Sequence, residues 1–560
     1  MSDVTKTFVK DSRISTGAEV FKIPQGARQV QYMSIPFDNQ PAEGYGSSIQ
    51  IASLNIPNAD TTCISRLMKV AYKVVITVPT ATCVFPTALN QDQNPNTILR
   101  QFPLHSVTEV LNLGLNSSIT STQPRYFLGM LSRFMNTDLE KLSQCPAMPD
   151  YGVNLPIAGA QNVQNSPFNM YAQAMKNGLL PRGAHLASVV ENSPTVGFDV
   201  ATFYVQEPVL CSPLSLNDEQ EFLYNVDQLS LNYTIAKPED MVLSQVNVAP
   251  VVKIYGARLE IAYLTVDPSF AKIPVQVNYD YANYQPNPFR NTTTVTPNLD
   301  ITITSQTLSF NSLPSRIFAG VRKQLTSRGP SLKTGGNASC NDDIYLSLLS
   351  SDGDSTKLNR ASVNIGTKNT SFSNMSVAQW YEMARRNGYN SSYYDYTLGS
   401  GSILCFSPTL DIGLDPSVDT VVGENSKINF SMQITVSAIN LVKSGIASAD
   451  LTAMLTDLTN NYELFIIPEY AGVCSITHKG PAQYLLGDVT PADVKSASTV
   501  EAVPEASLPP HMQGSGLFNG KFGHLVKKGI GKIASLAASE EGQKVMGQLA
   551  GKAVDRLARL

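Results

Sequence analysis

Side chains able to do acid–base, nucleophilic or metal chemistry are few and scattered in this chain. Its five histidines, His105, His185, His478, His511 and His524, include no H-E-x-x-H pair and no second ligand type at metal spacing. Seven cysteines, Cys63, Cys83, Cys145, Cys211, Cys340, Cys405 and Cys474, contain no C-x-x-C pair. They are expected to be reduced, mostly buried thiols of a protein made in the cytoplasm or nucleus. There is no G-x-S-x-G elbow for a nucleophilic serine. "SGLFNGKF" approaches a phosphate loop but has Ser515 where the first glycine is required and Phe522 where a Ser or Thr should follow Lys521. The carboxylates of Asn341–Asp343 ("NDD") and Ser350–Ser355 ("SSDGDS") suit tight surface turns, and no Glu closes a calcium loop. No catalytic residue, cofactor or metal ligand is assigned, and the reading favours a structural protein over an enzyme.

The spacing that does suggest chemistry makes this chain the target of a reaction. In "MQGSG", Met512 can fill an apolar pocket and Gly514 lets an extended backbone enter a narrow cleft, with the cut falling between Ser515 and Gly516. The pattern is similar to the sites of adenovirus-type maturation proteases. It follows "VTPADVKSASTVEAVPEASLPP", a stretch without periodicity that reads as an extended, accessible linker. Beyond it the charge changes sign. Residues 516–560 carry six Lys and two Arg against two Glu and one Asp, net +5, so the first 515 residues hold −9 of the chain's overall −4. Wound as a helix, this tail places Phe518, Phe522, Leu525, Ile533 and Leu536 on one face, widened by Val526 and Ile530. Lys521, Lys528 and Lys532 line the opposite margin beside Leu517, with Lys527 and His524 farther round. Such a helix suits a membrane interface, where each lysine near an anionic surface contributes about 1 kcal/mol. Docking against the body or a neighbouring subunit, or gripping nucleic acid, would use the same pattern.

The elements ahead of this tail are short, alternate with period two, and are punctuated by Pro, Gly or Asn every ten residues or so, the pattern of sandwiches and barrels. Strands are expected at Ala71–Pro79, Phe198–Gln206, Leu229–Ala236, Ala257–Val266, Leu299–Phe310 and Lys427–Asn440. Two helices interrupt them. Gln123–Met135 has Tyr126, Met130 and Phe134 at spacing four. Ser376–Gly388 has Ser376 as N-cap, Val377, Trp380, Tyr381 and Ala384 on one face, and Gly388 as its stop. Each half of the body holds about eight strand candidates and one helix. The organisation reads as an N-terminal arm (1–19), two β units (20–240 and 241–488), a linker (489–515) and a basic tail (516–560). The N-terminus lacks a signal-peptide h-region, and no run of eighteen apolar residues occurs. Sequons such as those at Asn291 and Asn369 are common by chance in a chain this rich in Asn, Ser and Thr.

Several ordered stretches resemble the double jelly-roll major capsid proteins of the polinton-type lineage, which includes virophages, adintoviruses and polinton-like viruses. They are "LRQFPLHSVTEVLNLGLNSSITS" (Leu99–Ser121), "EPVLCSPL" with "LYNVDQLSLNYTI" (Glu207–Leu214, Leu223–Ile235), "LTVDPSFAKIPVQVNYDY", "LSFNSLPSRIFAGVRKQ" (Leu308–Gln324), "VAQWYEMARRNG" and "GSILCFSPTLDIGLDP" (Gly401–Pro416). The likeness spans roughly Val20–Gly487. It implies an all-β fold of two tandem jelly rolls, homotrimers with a six-sided outline, and an icosahedral virion shell around double-stranded DNA. The partners it implies are further copies of the chain, penton or minor capsid proteins, a viral maturation protease and, through the tail, a membrane. The acidic body itself is not expected to bind nucleic acid specifically.

Two other readings are open on sequence. A single-jelly-roll capsid protein of a small RNA virus would have one shell barrel, a protruding domain of unlike topology, and autocleavage at an Asn, with Asn519-Gly520 the candidate. A carbohydrate-binding or carbohydrate-active β-sandwich would recognise glycans.

Overall fold

In the computed structural model the described residues are 27–78 without 59, 85, 97–135 without 101, 186–190, 199–214, 222–244, 249–267, 273–290, 300–323 without 311, 361–365, 368–372, 375–393, 396, 403–414, 428–437 and 462–486. The first unit contains β1 (Ala27–Pro36), β2 (Ser48–Asn55), β3 (Thr62–Ser65), β4 (Lys69–Val78), β5 (Thr97–Leu99), α1 (Pro103–Val107), β6 (Thr108–Leu115), β7 (Ser118–Thr122) and α2 (Pro124–Met135). It continues through β8 (Leu186–Val190), β9 (Asp199–Pro208), β10 (Phe222–Leu223), β11 (Gln228–Ile235), a 3₁₀ turn (Pro238–Met241), β12 (Val242–Ser244) and β13 (Val251–Val266). Alternation along β4 buries Val70, Tyr72, Val74, Ile76 and Val78 and turns the intervening residues outward, as a half-buried strand requires.

Two sheets face each other in this unit. One carries β1-β13-β4-β9, extended by β8 at one edge, with β3 and β10 alongside the far end of β13. The other is β2-β11-β6-β7. Counting only the eight principal strands in chain order, the sheets read 1-8-3-6 and 2-7-4-5, which is a jelly roll. β6 and β7 are joined through Asn116 and Ser117, at φ of 46° and 71°, the left-handed pair that a tight hairpin of this twist needs.

The second unit repeats that order. Its strands are β14 (Gln276–Tyr284), β15 (Asn287–Arg290), β16 (Asp300–Thr304), β17 (Leu308–Phe310), β18 (Arg316–Lys323), β19 (Ala361–Ile365), β20 (Lys368–Ser371), β21 (Leu404–Phe406), β22 (Ile428–Ser437), β23 (Tyr462–Thr477) and β24 (Ala482–Leu486), with α3 (Val377–Arg386) between β20 and β21. The sheets β14-β23-β18-β21 and β16-β22-β19-β20 are again 1-8-3-6 and 2-7-4-5. β15 and β17 lengthen the first and second strands, and β24 folds back on β23. α2 and α3 each fall between the fifth and sixth principal strands of their units. α3 begins where the sequence places it, with the Ser376 and Gln379 side chains each bonding the other's backbone N–H in a capping box, and it stops before Gly388 at φ +107°. Two units of one topology contradict the single-barrel reading, which requires a second domain of unlike topology.

One boundary differs from the sequence reading. β13 contains Ala257–Val266, placed in the second unit by a division at 240/241, yet it pairs with β1, β3 and β4 and contributes Ile254, Leu259 and Ile261 to the first core. The division falls after Val266. The pattern misleads because β13 is continuous with no turn to count. Only a bulge between Tyr255 and Arg258, with Gly256 at φ +59°, breaks its register. Leu299–Phe310, read as one strand, is broken at Ser305–Thr307, where Ser305 Oγ takes the Met432 N–H at 2.9 Å.

Candidate functional site at the junction of the two barrels

The two units exchange core residues. α2, which follows β7 in the first unit, packs Phe127, Met130, Leu131 and Phe134 into the second core, where the Phe134 ring stands edge-on to Phe318 and Tyr389. In return Tyr279, Tyr281, Cys474, Ile476 and Ala482 from β14, β23 and β24 join the first core. β24 can fold so tightly onto β23 because position 472 is Gly: a Cβ there would run into the Leu485 carbonyl.

Polar contacts pin the same seam. Asn116, 8% exposed, donates to the Asn225 carbonyl at 2.6 Å and the Gly480 carbonyl at 3.1 Å, while its Oδ1 accepts from Asp227 and Gln228 N–H. Tyr281 and Thr120 hydroxyls meet at 2.7 Å, and Tyr279 accepts the Tyr224 N–H at 2.8 Å. Two arginines sit near the start of the third principal strand of their barrels, each after a serine: Ser65-Arg66, three residues before β4, and Ser315-Arg316, where Arg316 opens β18. Arg66 donates Nε to the Pro213 carbonyl at 2.8 Å and Nη2 to Asp280 of β14 at 2.9 Å, and lies over the Tyr279 ring. Arg316 grips Glu469 with Nε and Nη2 and reaches the Asn387 carbonyl at 2.7 Å. Burial works against the Arg316 charge, but Glu469 outweighs it and raises the guanidinium above its ordinary value. Burial, followed by the Glu469 charge, pushes the Tyr284 phenol well upward, so it stays neutral and donates to Glu469 at 3.0 Å.

One constellation has the makings of acid–base chemistry but is closed. Glu207 accepts from the Tyr72 hydroxyl and, at 2.8 Å each, pairs with His105 Nδ1 and takes the Leu104 N–H. His105 and Glu207 are both 0% exposed, with Tyr233 edge-on to the imidazole, so no substrate can approach. This set anchors α1 to β9. Among the described residues no group of three or more His, Cys, Asp or Glu is gathered as a metal site. Cys63, Cys211, Cys405 and Cys474 are buried free thiols, as the scattered spacing predicts, and burial pushes Cys63, Cys211 and Cys474 up to about 12.

The residues singled out in the linker and tail lie outside the described residues: Met512, Gly514, Ser515 and Gly516 of the cleavage motif, and the apolar and lysine faces from Leu517 to Leu536. So do His185, His511, His524, Cys83, Cys145, Cys340 and the two acidic turns. Sequence reading missed the arginine clamps and Asn116. Both clamps carry a Ser-Arg pair followed by two apolar residues, but Ser132-Arg133-Phe134-Met135 has the same form, so this pattern does not single them out.

Residues 2–267 match the family model for the first domain of the Sputnik virophage major capsid protein. The match ends one residue past β13, where the first jelly roll closes. The chain is also 21% identical to a putative capsid protein of Sputnik virophage over 568 aligned positions, covering 94% of this chain and 86% of that one. Its fold superposes on the Sputnik virophage cryo-EM structure with a TM-score of 0.70 at 19% identity, covering 89% of this chain and 97% of the other. The mavirus major capsid protein crystal structure gives 0.63 at 15% identity over 88% and 98%. The fold is the double jelly roll of these capsid proteins.

Proposed function

We propose that this chain is the major capsid protein of a virophage-type virion, a shell-building protein and not an enzyme. The observation that carries this is the repeated strand order, 1-8-3-6 over 2-7-4-5 in both units, together with the virophage first-domain match over residues 2–267. In this reading three copies form a six-sided capsomer, and capsomers tile an icosahedral shell around double-stranded DNA with penton and minor capsid proteins at special positions. The outward face of the first barrel supports self-association. Register sets Tyr32 opposite Ala262 and Val30 opposite Leu264, with Tyr204 beside Lys73, on the side turned away from the core. Tyr32 is 84% exposed and Tyr204 60%, so both rings are open to a neighbouring copy.

The tail completes the proposal. A maturation protease cuts between Ser515 and Gly516, and the released basic helix acts on a membrane through Leu517, Phe518, Phe522, Leu525, Val526, Ile530, Ile533 and Leu536. Lys521, Lys527, Lys528 and Lys532 meet anionic lipid. The net −9 of the first 515 residues supports a body that makes no specific nucleic-acid contact. Light scattering on the purified chain tests the assembly step: a particle of three chain masses supports it, and a monomer at all concentrations opposes it.

A further inference from the structure

The second barrel is covered where the first is open. Ile317 of β18 lies opposite Phe406 of β21, and Phe406 stacks on Phe430 of β22, so that side of the β14-β23-β18-β21 sheet faces the barrel interior. Phe318, next along the strand, therefore points outward. There the Phe134 ring of α2 meets it edge-on, with centroids 5.1 Å apart. Phe127 of α2 stacks on Tyr284, which register places on the same outward side through Glu469 and Arg316. Beside α2, Ser212 of the first unit takes the Ala282 N–H at 3.0 Å, on the edge of β14 away from β23.

The counterpart sheet of the first barrel, β1-β13-β4-β9, has no such cover among the described residues. Its outward face corresponds closely: Lys69 opens β4 opposite Glu260, as Arg316 opens β18 opposite Glu469. Arg316 and Glu469 are buried, at 5% and 1% exposure, whereas Lys69 is exposed and Glu260 only half-buried. Tyr32, Tyr204 and Val251 stand exposed on that face, and among the described residues no strand pairs with the outer edge of β1. Strand edges that stay open are commonly blunted by charge, and β1 has no charged residue from Gln29 to Pro36. In the second unit the counterparts of the covering segments are α3 and the loop after β21, where Ser407-Pro408 repeats Ser212-Pro213. Just beyond each lies an exposed apolar residue, Tyr393 at 40% and Leu410 at 55%.

We propose that the second unit of a neighbouring copy docks on this face. Tyr393 and Leu410 meet the side bearing Tyr32 and Tyr204, and the loop after β21 runs along the outer edge of β1. The junction that α2 makes within one chain is thereby repeated between chains. The inference rests on the capsomer reading above and names the surfaces that make it. Such a contact is head-to-tail, because each copy offers one donor surface and one acceptor surface, and it closes into a ring when three chains supply six barrels.

The test places the photo-crosslinker p-benzoylphenylalanine at position 410 of the full-length chain, and separately at position 32. After irradiation, linked peptides are read by mass spectrometry from the band of two chain masses. Position 410 should link to β1, β4, β9 or β13 of another copy, and position 32 to residues 393–414. Leu410→Asp and Tyr204→Asp should each raise the concentration at which half the chains are trimeric at least tenfold in analytical ultracentrifugation, with an unchanged circular dichroism spectrum. Should either variant not fold, the photo-links decide alone. Links from 410 to another copy's residues 393–414, or three-chain particles without a 410 link, would overturn this contact and leave the capsomer reading standing. A chain that stays monomeric would overturn both.

Discussion

Arg316 and Glu469 form a two-pronged ion pair inside the second barrel, with Arg316 Nη2 2.8 Å from Glu469 Oε1 and the two side chains 6% and 2% exposed. Tyr284 donates to the same Oε1, and the Asn387 carbonyl takes the remaining guanidinium nitrogen, Nη1, so the pair ties β18, β23, β14 and the end of α3 into one knot. Removing one partner strands the other. Glu469→Gln or Arg316→Met should each cost about 3–5 kcal/mol, read as a lowered urea midpoint. The double variant Arg316→Met/Glu469→Leu should recover a large part of the loss; equal or greater loss in the double variant would contradict the knot.

Phe134 tests whether the barrels share a core. It belongs to the first unit by chain order yet is 0% exposed in the second core against Phe318. Phe134→Ala should cost about 3–5 kcal/mol and lower the melting of the second barrel as well as the first. Calorimetry showing one barrel unaffected would count against this exchange.

The buried thiols set an alkaline limit. Cys63, Cys211 and Cys474 rise from 9.0 to about 12 because burial penalises the thiolate. The unfolded chain therefore loses these protons first as pH rises. Their contribution is complete below about pH 9 and is lost between 9 and 12, at up to about 1.4 kcal/mol per pH unit for each thiol. Unfolding free energy measured across that window should fall steeply, and iodoacetamide at pH 8 should leave all three unmodified in the folded chain. Rapid alkylation would show that the sites open.

Cleavage at the linker depends on Gly514 if its lack of a side chain is what admits the backbone to a protease cleft. Mass spectrometry of the chain from mature particles should give a C-terminus at Ser515, and Gly514→Val should leave the chain intact. A terminus at Asn519 would point to autocleavage instead.

Much of this architecture was legible in the sequence. Period-two alternation located β4, β9, β11 and β22, and α3 was marked at both ends by Ser376 and Gly388. What escaped was long-range. β13 carries no sign that its partners are β1 and β4, because a strand's own alternation does not say which sheet it enters. α2 was recognisable as a helix from Tyr126, Met130 and Phe134, but nothing local says that its apolar face leaves the first unit for the second. Arg66 and Arg316 look like ordinary surface charges until their partners, Asp280 and Glu469, are brought in from 214 and 153 residues away. The repeat of Ser-Arg near the start of the third principal strand was visible, yet its meaning needed the fold.

The central claim is that copies of this chain build a shell, and electron cryomicroscopy of particles assembled from the full-length protein tests it most directly. The expected map shows six-sided capsomers, each holding three chains, with both jelly rolls upright and the face around Tyr32 and Tyr204 covered by a neighbouring copy. A protein that stays monomeric and never forms capsomers, or a map in which each capsomer holds other than three chains, would contradict it.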